Sequence, residues 1–217
     1  MSDDVRDHWS SHPNWRPGRS FYTWHVIFPG DPALLELHAA YQHLIGSLAG
    51  ISPVPAELLH LTMQGVGFAD RVPESDLELI VTAVRRRLDY VRPFGISVGP
   101  AVVDAESLQL PVTPVDRMRR LQDHLRAAIQ DVWGTDSLPR LPQLKPHISL
   151  GYWNKEAPAE PLRLRVNADA GETAATELTG VSLIELRQEN HQYVWTVRAT
   201  APLGRKAQAA DDAGAGS

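Results

Sequence analysis

The chain alternates between short runs of β-branched and aromatic residues and longer stretches with apolar residues at helical spacing. The run SFYTWHVIFP at residues 20–29 predicts a strand. Asp31 followed by Pro32 predicts the start of a helix that continues to residue 48, because Asp caps helix N-termini and Pro fits the first turn. Residues 56–68 predict a second strand with glycines near its end, and residues 74–92 predict an amphipathic helix.

A similar succession of elements returns in the second half of the chain. Its predicted elements are two strands around a turn at 94–112, a helix at 114–133, a strand at 144–153, a less regular segment at 156–179 with a short helix at 161–168, and a hairpin with a longer loop at 181–203. The repeated order indicates an internal duplication. Two halves related by a pseudo-twofold axis would place equivalent strands face to face across a shared groove, where a site can be built from both halves.

Length and composition indicate one domain with polar ends. The chain has 217 residues, of which 43% are apolar, and this suits a single globular unit of two compact halves. Residues 1–20 are polar and residues 204–217 are small or charged, so both segments are predicted to be flexible. The domain itself is therefore predicted to span residues 21–203.

Several classes of function are excluded by composition. The sequence contains no cysteine, which rules out disulfides and thiolate metal sites. No apolar stretch approaches the roughly 18 residues that a membrane span requires, and the N-terminus lacks the apolar core of a signal peptide, so we expect a cytoplasmic protein without a membrane partner. The net charge of -5 argues against a broad basic surface for nucleic acid, so any recognition of phosphate must be local.

Two predicted strands carry the same pattern of polar residues. In LLHLTMQ, strand alternation directs Leu59, Leu61 and Met63 to one face and His60, Thr62 and Gln64 to the other. In KPHISLG, the same alternation places His147 and Ser149 together on the polar face. Each strand thus presents an imidazole and a hydroxyl opposite an apolar face. A one-residue slip would bury the histidine, so the apolar face fixes the register.

The tandem H-x-T and H-x-S strands resemble the two-histidine (2H) phosphoesterase superfamily, specifically its bacterial branch of 2'-5' RNA ligases and RNA 2',3'-cyclic phosphodiesterases. The resemblance covers residues 21–203 and includes the first strand with its terminal proline and the closing strand pair. It implies an α+β fold that is bilobal and duplicated. In such a fold two antiparallel sheets flank a central cleft that carries both motifs, and the helices lie on the outside.

Two histidines facing one cleft are suited to acid–base catalysis at phosphorus without a metal. Imidazole titrates near neutrality, so one ring can accept a proton while the other donates one. The hydroxyls of Thr62 and Ser149 would donate hydrogen bonds to the non-bridging phosphate oxygens. The sequence does not decide which histidine is the base. As a working hypothesis, His147 activates water and His60 protonates the leaving oxygen.

Six further residues are candidates for substrate binding, and each has an alternative interpretation. They are Arg187, Gln64, Tyr152, Trp24, His25 and Lys145. The two cations are suited to phosphate but are also typical of solvated surface charges. The aromatic side chains are suited to base stacking but are also typical of core packing. A third imidazole close to the other two would raise the question of zinc, yet the short ligand pairs of zinc motifs are missing, so we expect no metal and no cofactor.

These observations predict a metal-independent phosphodiesterase that opens 2',3'-cyclic phosphates of RNA ends or nucleotides to 2'-phosphates. The partner is then an RNA with a cyclic phosphate end or a small cyclic nucleotide, and we expect a monomer. Two alternatives stay open: a 2'-5' RNA ligase that runs the reverse reaction, and a non-catalytic nucleotide-binding or sensing protein. The acidic net charge favours hydrolysis of small substrates.

Overall fold

A computed structural model of the protein describes residues 4–10, 15–16, 18–139, 142–169 and 171–204. Its strands are β1 Asp4–Val5, β2 Ser20–Ile27, β3 Ile51–Pro53, β4 His60–Phe68, β5 Phe94–Val98, β6 Val102–Val103, β7 Ser107–Thr113, β8 His147–Trp153, β9 Ala157–Pro158, β10 Ala174–Leu178, β11 Gly180–Glu189 and β12 Gln192–Pro202. Its helices are α1 Pro32–Ala40, α2 Gln42–Ser47, α3 Glu74–Leu88, α4 Val115–Trp133 and α5 Ala159–Asp169.

Two antiparallel sheets form the body of the protein, as the resemblance implied. One sheet has the strand order β12-β11-β2-β4, and the other has the order β10-β5-β7-β8-β3, with β6 beside β7. The orders β4-β2-β11-β12 and β8-β7-β5-β10 correspond position by position. In each sheet the motif strand, β4 or β8, pairs with a strand that comes earlier in the chain, β2 or β7, and helices lie between the two in sequence. The predicted α+β class with duplicated sheets is therefore confirmed.

The two motif strands differ in their place within these sheets. Strand β8 is paired with β7 on one side and with β3 on the other. Among the strands that the structure describes, β4 is paired only with β2 and lies at the edge of its sheet. The duplication is therefore incomplete, since the short strand β3 supports only one of the two equivalent strands.

The long helices cover the outside of the sheets. Both α3 and α4 bury residues at three- and four-residue spacing, such as Leu77, Ile80 and Val84 in α3 and Leu121 and Leu125 in α4. The two helices pack against each other, α3 also contacts β12, and α4 contacts β4 and β7. None of the helices in the described part of the chain is both long enough and apolar enough to cross a bilayer.

The first predicted helix begins where expected but is divided in two. The side chain of Asp31 accepts a hydrogen bond from the backbone amide of Leu34 at 3.0 Å, which confirms the predicted N-cap. The helix then breaks at Tyr41, between α1 and α2. Tyr41 is buried, and its hydroxyl donates to the carbonyl of Glu172 at 2.9 Å and accepts from the amide of Ala101 at 3.1 Å. This side chain therefore ties the helical segment to the second sheet.

Three predictions about individual elements were wrong. The closing hairpin turns through two residues, Asn190 and His191, at φ 49° and 57°, rather than through a longer loop. Positive φ at both positions is the geometry of a type I′ turn, in which asparagine is favoured. Strand β10 was not predicted, because its sequence AATEL lies at a sheet edge and has little apolar character. Helix α3 ends at Leu88 rather than at residue 92.

The N-terminal segment, predicted to be flexible over residues 1–20, is folded against the protein over residues 4–10. Strand β1 pairs with β9, and the ring of His8 stacks on Tyr152 with centroids 4.3 Å apart. The same ring is hydrogen bonded to Glu106 at 3.1 Å and to the hydroxyl of Tyr193 at 2.8 Å. His8 thus joins strand β8 of one sheet to strand β12 of the other. Apart from Gly204, the tail predicted at 204–217 lies outside the described residues.

We predict that His8→Ala lowers the free energy of unfolding by about 1–3 kcal/mol, because the partly buried Tyr193 hydroxyl loses its partner. Arg6→Ala is the matched control, since Arg6 lies in the same segment and makes only an exposed ion pair with Glu106, which typically contributes less than about 1 kcal/mol. Urea denaturation of both variants checks this. Equal midpoints for the two variants would show that His8 does not anchor the segment.

Candidate functional site

The two His/hydroxyl pairs lie on neighbouring strands of the two sheets. His60 and Thr62 lie on β4, His147 and Ser149 lie on β8, and the two strands contact each other. Between the members of each pair, Leu61 and Ile148 are completely buried on the apolar face. Alternation in the strands therefore turns both imidazole–hydroxyl pairs to the cleft between the sheets.

Each motif strand has a one-residue bulge immediately after its hydroxyl. In β4, Thr62 is opposite His25 and Gln64 is opposite Trp24, so Met63 has no partner on β2. In β8, Ser149 is opposite Gln109 and Gly151 is opposite Leu108, so Leu150 has no partner on β7. A bulge resets the alternation of side chains along the strand. The two lobes therefore share this irregularity as well as their strand order.

The bulge in β4 removes two of the predicted substrate-binding residues from the cleft. Gln64 pairs with Trp24, and both lie on the face opposite to His25 and Thr62. Trp24 is completely buried, and Gln64 is held by hydrogen bonds to the carbonyl of Gly65 at 2.8 Å and from Arg126 at 3.3 Å. The prediction that Gln64 shares the polar face with His60 was therefore wrong, and so was the prediction that Trp24 contacts substrate.

The structure places one of the two predicted cationic contacts away from the cleft. Leu186 is opposite Phe21 on the face that carries His25, so the adjacent Arg187 points to the other face, where its Nε donates to Glu189 at 3.1 Å. Arg187, a candidate for substrate binding, is therefore turned away from the cleft. The side chain of Lys145 is exposed, and its role in binding stays a prediction.

Both motif histidines are fixed by the same local contact. The Nδ1 of His60 lies 2.8 Å from the carbonyl oxygen of Leu58, and the Nδ1 of His147 lies 2.8 Å from that of Lys145. A carbonyl only accepts, so each Nδ1 carries a proton. In the neutral ring the lone pair is then on Nε2.

The two rings differ in their solvent exposure. His60 is buried, and the edge of Trp195 lies against it with ring centroids 5.1 Å apart. This burial is the main reason that the pKa of His60 falls from 6.5 to about 4. The hydrogen bond to Leu58 opposes the shift, and the charge of His147 across the cleft adds to it. His147 is only partly buried.

The third imidazole, His25, lies behind the first pair and is not open to the cleft. Its exposed fraction is 1%, its ring stacks parallel to that of His60 with centroids 4.7 Å apart, and its Nε2 lies 3.2 Å from the hydroxyl oxygen of Thr62. Burial, and next the charge of His60, lower the pKa of His25 well below 6.5. The structure thus brings His25 to the site, but in contact with Thr62 and His60 rather than with the cleft.

Tyr152 lies near the second hydroxyl, on the motif strand itself. The bulge at Leu150 places Tyr152 on the same face as Ser149, whereas the residue that pairs with Ser149, as His25 pairs with Thr62, is Gln109. Burial raises the pKa of Tyr152 to about 12, while a hydrogen bond to Ser149 opposes this shift. The Tyr152 hydroxyl therefore stays protonated at neutral pH.

A narrow and mostly apolar pocket opens beside His60. Its walls include Val54, Leu58, Tyr152 and Tyr193. Sequence reasoning did not single out Tyr193 or Trp195. Alternation along β12 places both on one face. That this face is turned to the cleft follows only from the pairing of β12 with β11 and of β11 with β2.

Within the described residues, no three side chains of the types His, Asp or Glu are arranged so that they could hold a metal ion. This applies to His25, His60 and His147 as well. One nitrogen of each ring has a hydrogen-bonding contact: Nδ1 of His60 and of His147 with a backbone carbonyl, and Nε2 of His25 with the Thr62 hydroxyl.

Comparison with known proteins gives one family match. Residues 29–190 match the model of the 2'-5' RNA ligase superfamily, and this range contains both His/hydroxyl pairs. A sequence search of curated proteins finds no match.

Several crystal structures share the fold at low sequence identity. The TT0787 protein of Thermus thermophilus is 22% identical with a TM-score of 0.62, and the alignment covers 85% of this chain and 98% of that one. A protein described as a phosphoesterase is 17% identical with a TM-score of 0.63, covering 86% and 99% of the two chains. E. coli LigT complexed with 3'-AMP is 15% identical with a TM-score of 0.57, covering 85% and 98%.

The buried imidazoles predict that the protein loses stability on mild acidification. Between pH 6.5 and about 4 the unfolded chain binds protons at His60 and His25 that the folded protein excludes, so the free energy of unfolding falls as pH decreases. For His60 alone this amounts to roughly 3 kcal/mol. The measurement is urea denaturation at several pH values. His60→Gln is expected to reduce the pH dependence, whereas His43→Gln, which changes an exposed histidine, serves as the control.

Proposed function

Because the chain belongs to the 2'-5' RNA ligase superfamily, we propose that it is a metal-independent phosphodiesterase that hydrolyses 2',3'-cyclic phosphates of RNA ends or nucleotides to 2'-phosphates. The observation that carries this proposal is the placement of two imidazole–hydroxyl pairs on contacting strands of the two sheets. In-line displacement at phosphorus needs a base and an acid on opposite sides, and the two lobes supply one imidazole each.

His60 is the base in this proposal. Its lowered pKa keeps the ring neutral at physiological pH, and its proton is on Nδ1, so Nε2 can accept a proton from the attacking water. This is the reverse of the working hypothesis from the sequence, because a ring with a pKa of about 4 is almost entirely unprotonated near pH 7 and has no proton to deliver.

His147 is then the acid. This role requires a second proton on Nε2 of the partly exposed ring, which is delivered to the 3'-oxygen as the bond from that oxygen to phosphorus breaks. Water forms the new bond to phosphorus and gives its proton to His60. The products are a 2'-phosphomonoester and a free 3'-hydroxyl. Thr62 and Ser149 donate to the non-bridging oxygens, on which charge increases in the transition state.

The apolar residues beside His60 form the surface against which the nucleoside part of the substrate packs in this proposal, since the pocket between them is too narrow to enclose it. Val54, Leu58 and Tyr193 offer apolar contact to a base or ribose. The crystal structures of E. coli LigT with phosphate and with 3'-AMP support a site that accepts a small phosphorylated nucleoside. The acidic net charge favours such small substrates over long RNA.

We predict that the purified protein hydrolyses 2',3'-cyclic AMP in the presence of excess chelator. His60→Ala and His147→Ala are each expected to lower kcat/KM by about 10²–10⁴-fold, and Thr62→Val by about 10²-fold, because each removes a group that acts in the transition state. His43→Ala, at an exposed position, is the control. Activity is measured by chromatography of the nucleotide products.

The same assay separates the alternatives. Binding of the nucleotide without turnover would favour the sensing function, and joining of a 5'-hydroxyl RNA to a cyclic-phosphate RNA would favour the ligase. Loss of turnover on chelation would contradict metal independence.

The roles of the histidines are tested with a phosphodiester that has a p-nitrophenolate leaving group. Such a leaving group needs no proton, so His147→Ala is expected to recover most of its lost activity on this substrate, whereas His60→Ala is not. The measurement is the rate of p-nitrophenolate release across pH 4–9. Recovery by His60→Ala instead would restore the assignment in which His147 is the base.

A further inference from the structure

Thr62 has a second polar contact on the side away from the cleft. Its hydroxyl oxygen lies 3.2 Å from Nε2 of His25, which is opposite Thr62 on the adjacent strand. The backbone register therefore fixes this pair, and the bulge at Met63 follows directly after it. His25 has no access to substrate of its own, since its exposed fraction is 1%.

The hydrogen-bonding capacity of the two groups determines the direction of this contact. A bound phosphate oxygen only accepts, so the single proton of Thr62 must point to the phosphate. The contact with His25 then requires that Nε2–H donates to the Thr62 oxygen. His25 must accordingly be neutral with its proton on Nε2, and the buried Nδ1, which has no hydrogen-bond partner, carries a lone pair rather than an N–H. In the opposite tautomer Thr62 would donate to His25 and present only lone pairs to the phosphate.

The ring of His25 also supports the motif histidine. The two imidazoles are parallel within 3°, and Trp195 meets both rings edge-on, at 5.1 Å from His60 and 6.2 Å from His25. A side chain that lacks the ring would leave a space beneath His60, whereas a phenyl ring would keep the stack and remove only the hydrogen bond. The two contributions of His25 can therefore be separated by mutation.

We propose that His25 is a positioning residue that directs the Thr62 hydroxyl to the phosphate by donating from Nε2 to its oxygen. This inference rests on the proposed function, because it takes Thr62 as a donor to phosphate. It adds a residue that acts on the reaction without contacting substrate. This role also accounts for an additional buried imidazole beside the site, where no group of described residues could hold a metal ion.

The kinetic test compares His25→Phe, which keeps an aromatic ring over His60, with His25→Gln, whose amide nitrogen can replace Nε2 as a donor. His25→Phe is expected to lower kcat roughly tenfold with little change in KM, and His25→Gln to restore most of that loss. The decisive comparison is a double-mutant cycle with Thr62→Val. If His25 acts through Thr62, adding His25→Phe to Thr62→Val changes kcat less than twofold, whereas a purely structural role gives a further tenfold loss and overturns the proposal.

A second measurement does not depend on turnover. Long-range ¹H–¹⁵N correlation spectra of the wild-type protein report the tautomer of each histidine, here with inorganic phosphate as the probe. A protonated Nε2 on His25 in the phosphate-bound protein supports the proposal, and a protonated Nδ1 overturns it. The protein could lack cyclic phosphodiesterase activity and still show the Nε2–H tautomer, with weaker phosphate binding by His25→Phe. That result would contradict the proposed reaction but leave the role of His25 in place. Absence of any phosphate effect would overturn both.

Discussion

Burial of the apolar face of each motif strand is the constraint on which the site depends. Leu61 and Ile148 lie between the imidazole and the hydroxyl of their motifs and have no exposed surface. Each such side chain contributes roughly 1.5–3 kcal/mol when it is buried, and a slip of one residue would expose all the apolar residues of the strand at once. Because the apolar side chains are buried in the core, alternation along each strand turns the imidazole and the hydroxyl to the cleft. The bulge that follows each hydroxyl then determines which of the later residues in the strand lie on the cleft face.

The two lobes carry equivalent imidazole–hydroxyl motifs, but the surroundings of the two histidines differ. In both lobes the histidine Nδ1 is bound to the carbonyl two residues earlier, so the rings start with the same tautomer and orientation. Only His60 is stacked on a second imidazole, bordered by Trp195 and removed from water. Acid–base pairs in enzymes commonly arise when the environments of two similar groups separate their pKa values. Here desolvation of one lobe lowers the pKa of its imidazole, His60, without any change in the residues of the motif.

The sequence was sufficient for the features that depend on patterns within one segment. The strands with alternating apolar residues, the N-cap at Asp31 and both His/hydroxyl pairs are of this kind. Features that depend on pairing between distant segments were not accessible. The faces of Gln64 and Arg187 follow from a bulge and from the register of β11 on β2, which no local pattern encodes. The ordered segment 4–10 was missed because His8 finds its partners about 100 and 185 residues away in the chain.

The unequal support of the two motif strands has a consequence for the dynamics of the cleft. The backbone of β8 is bonded on both sides, whereas β4 is bonded on one side only among the described strands. Local opening of a sheet begins at strands with fewer cross-strand bonds, so the amides of β4 should exchange with solvent faster than those of β8. Strand β4, which carries the buried His60, should therefore open locally more often than strand β8, which carries the partly exposed His147. Entry and departure of ligand would then follow motions of the edge strand rather than a symmetric parting of the two halves.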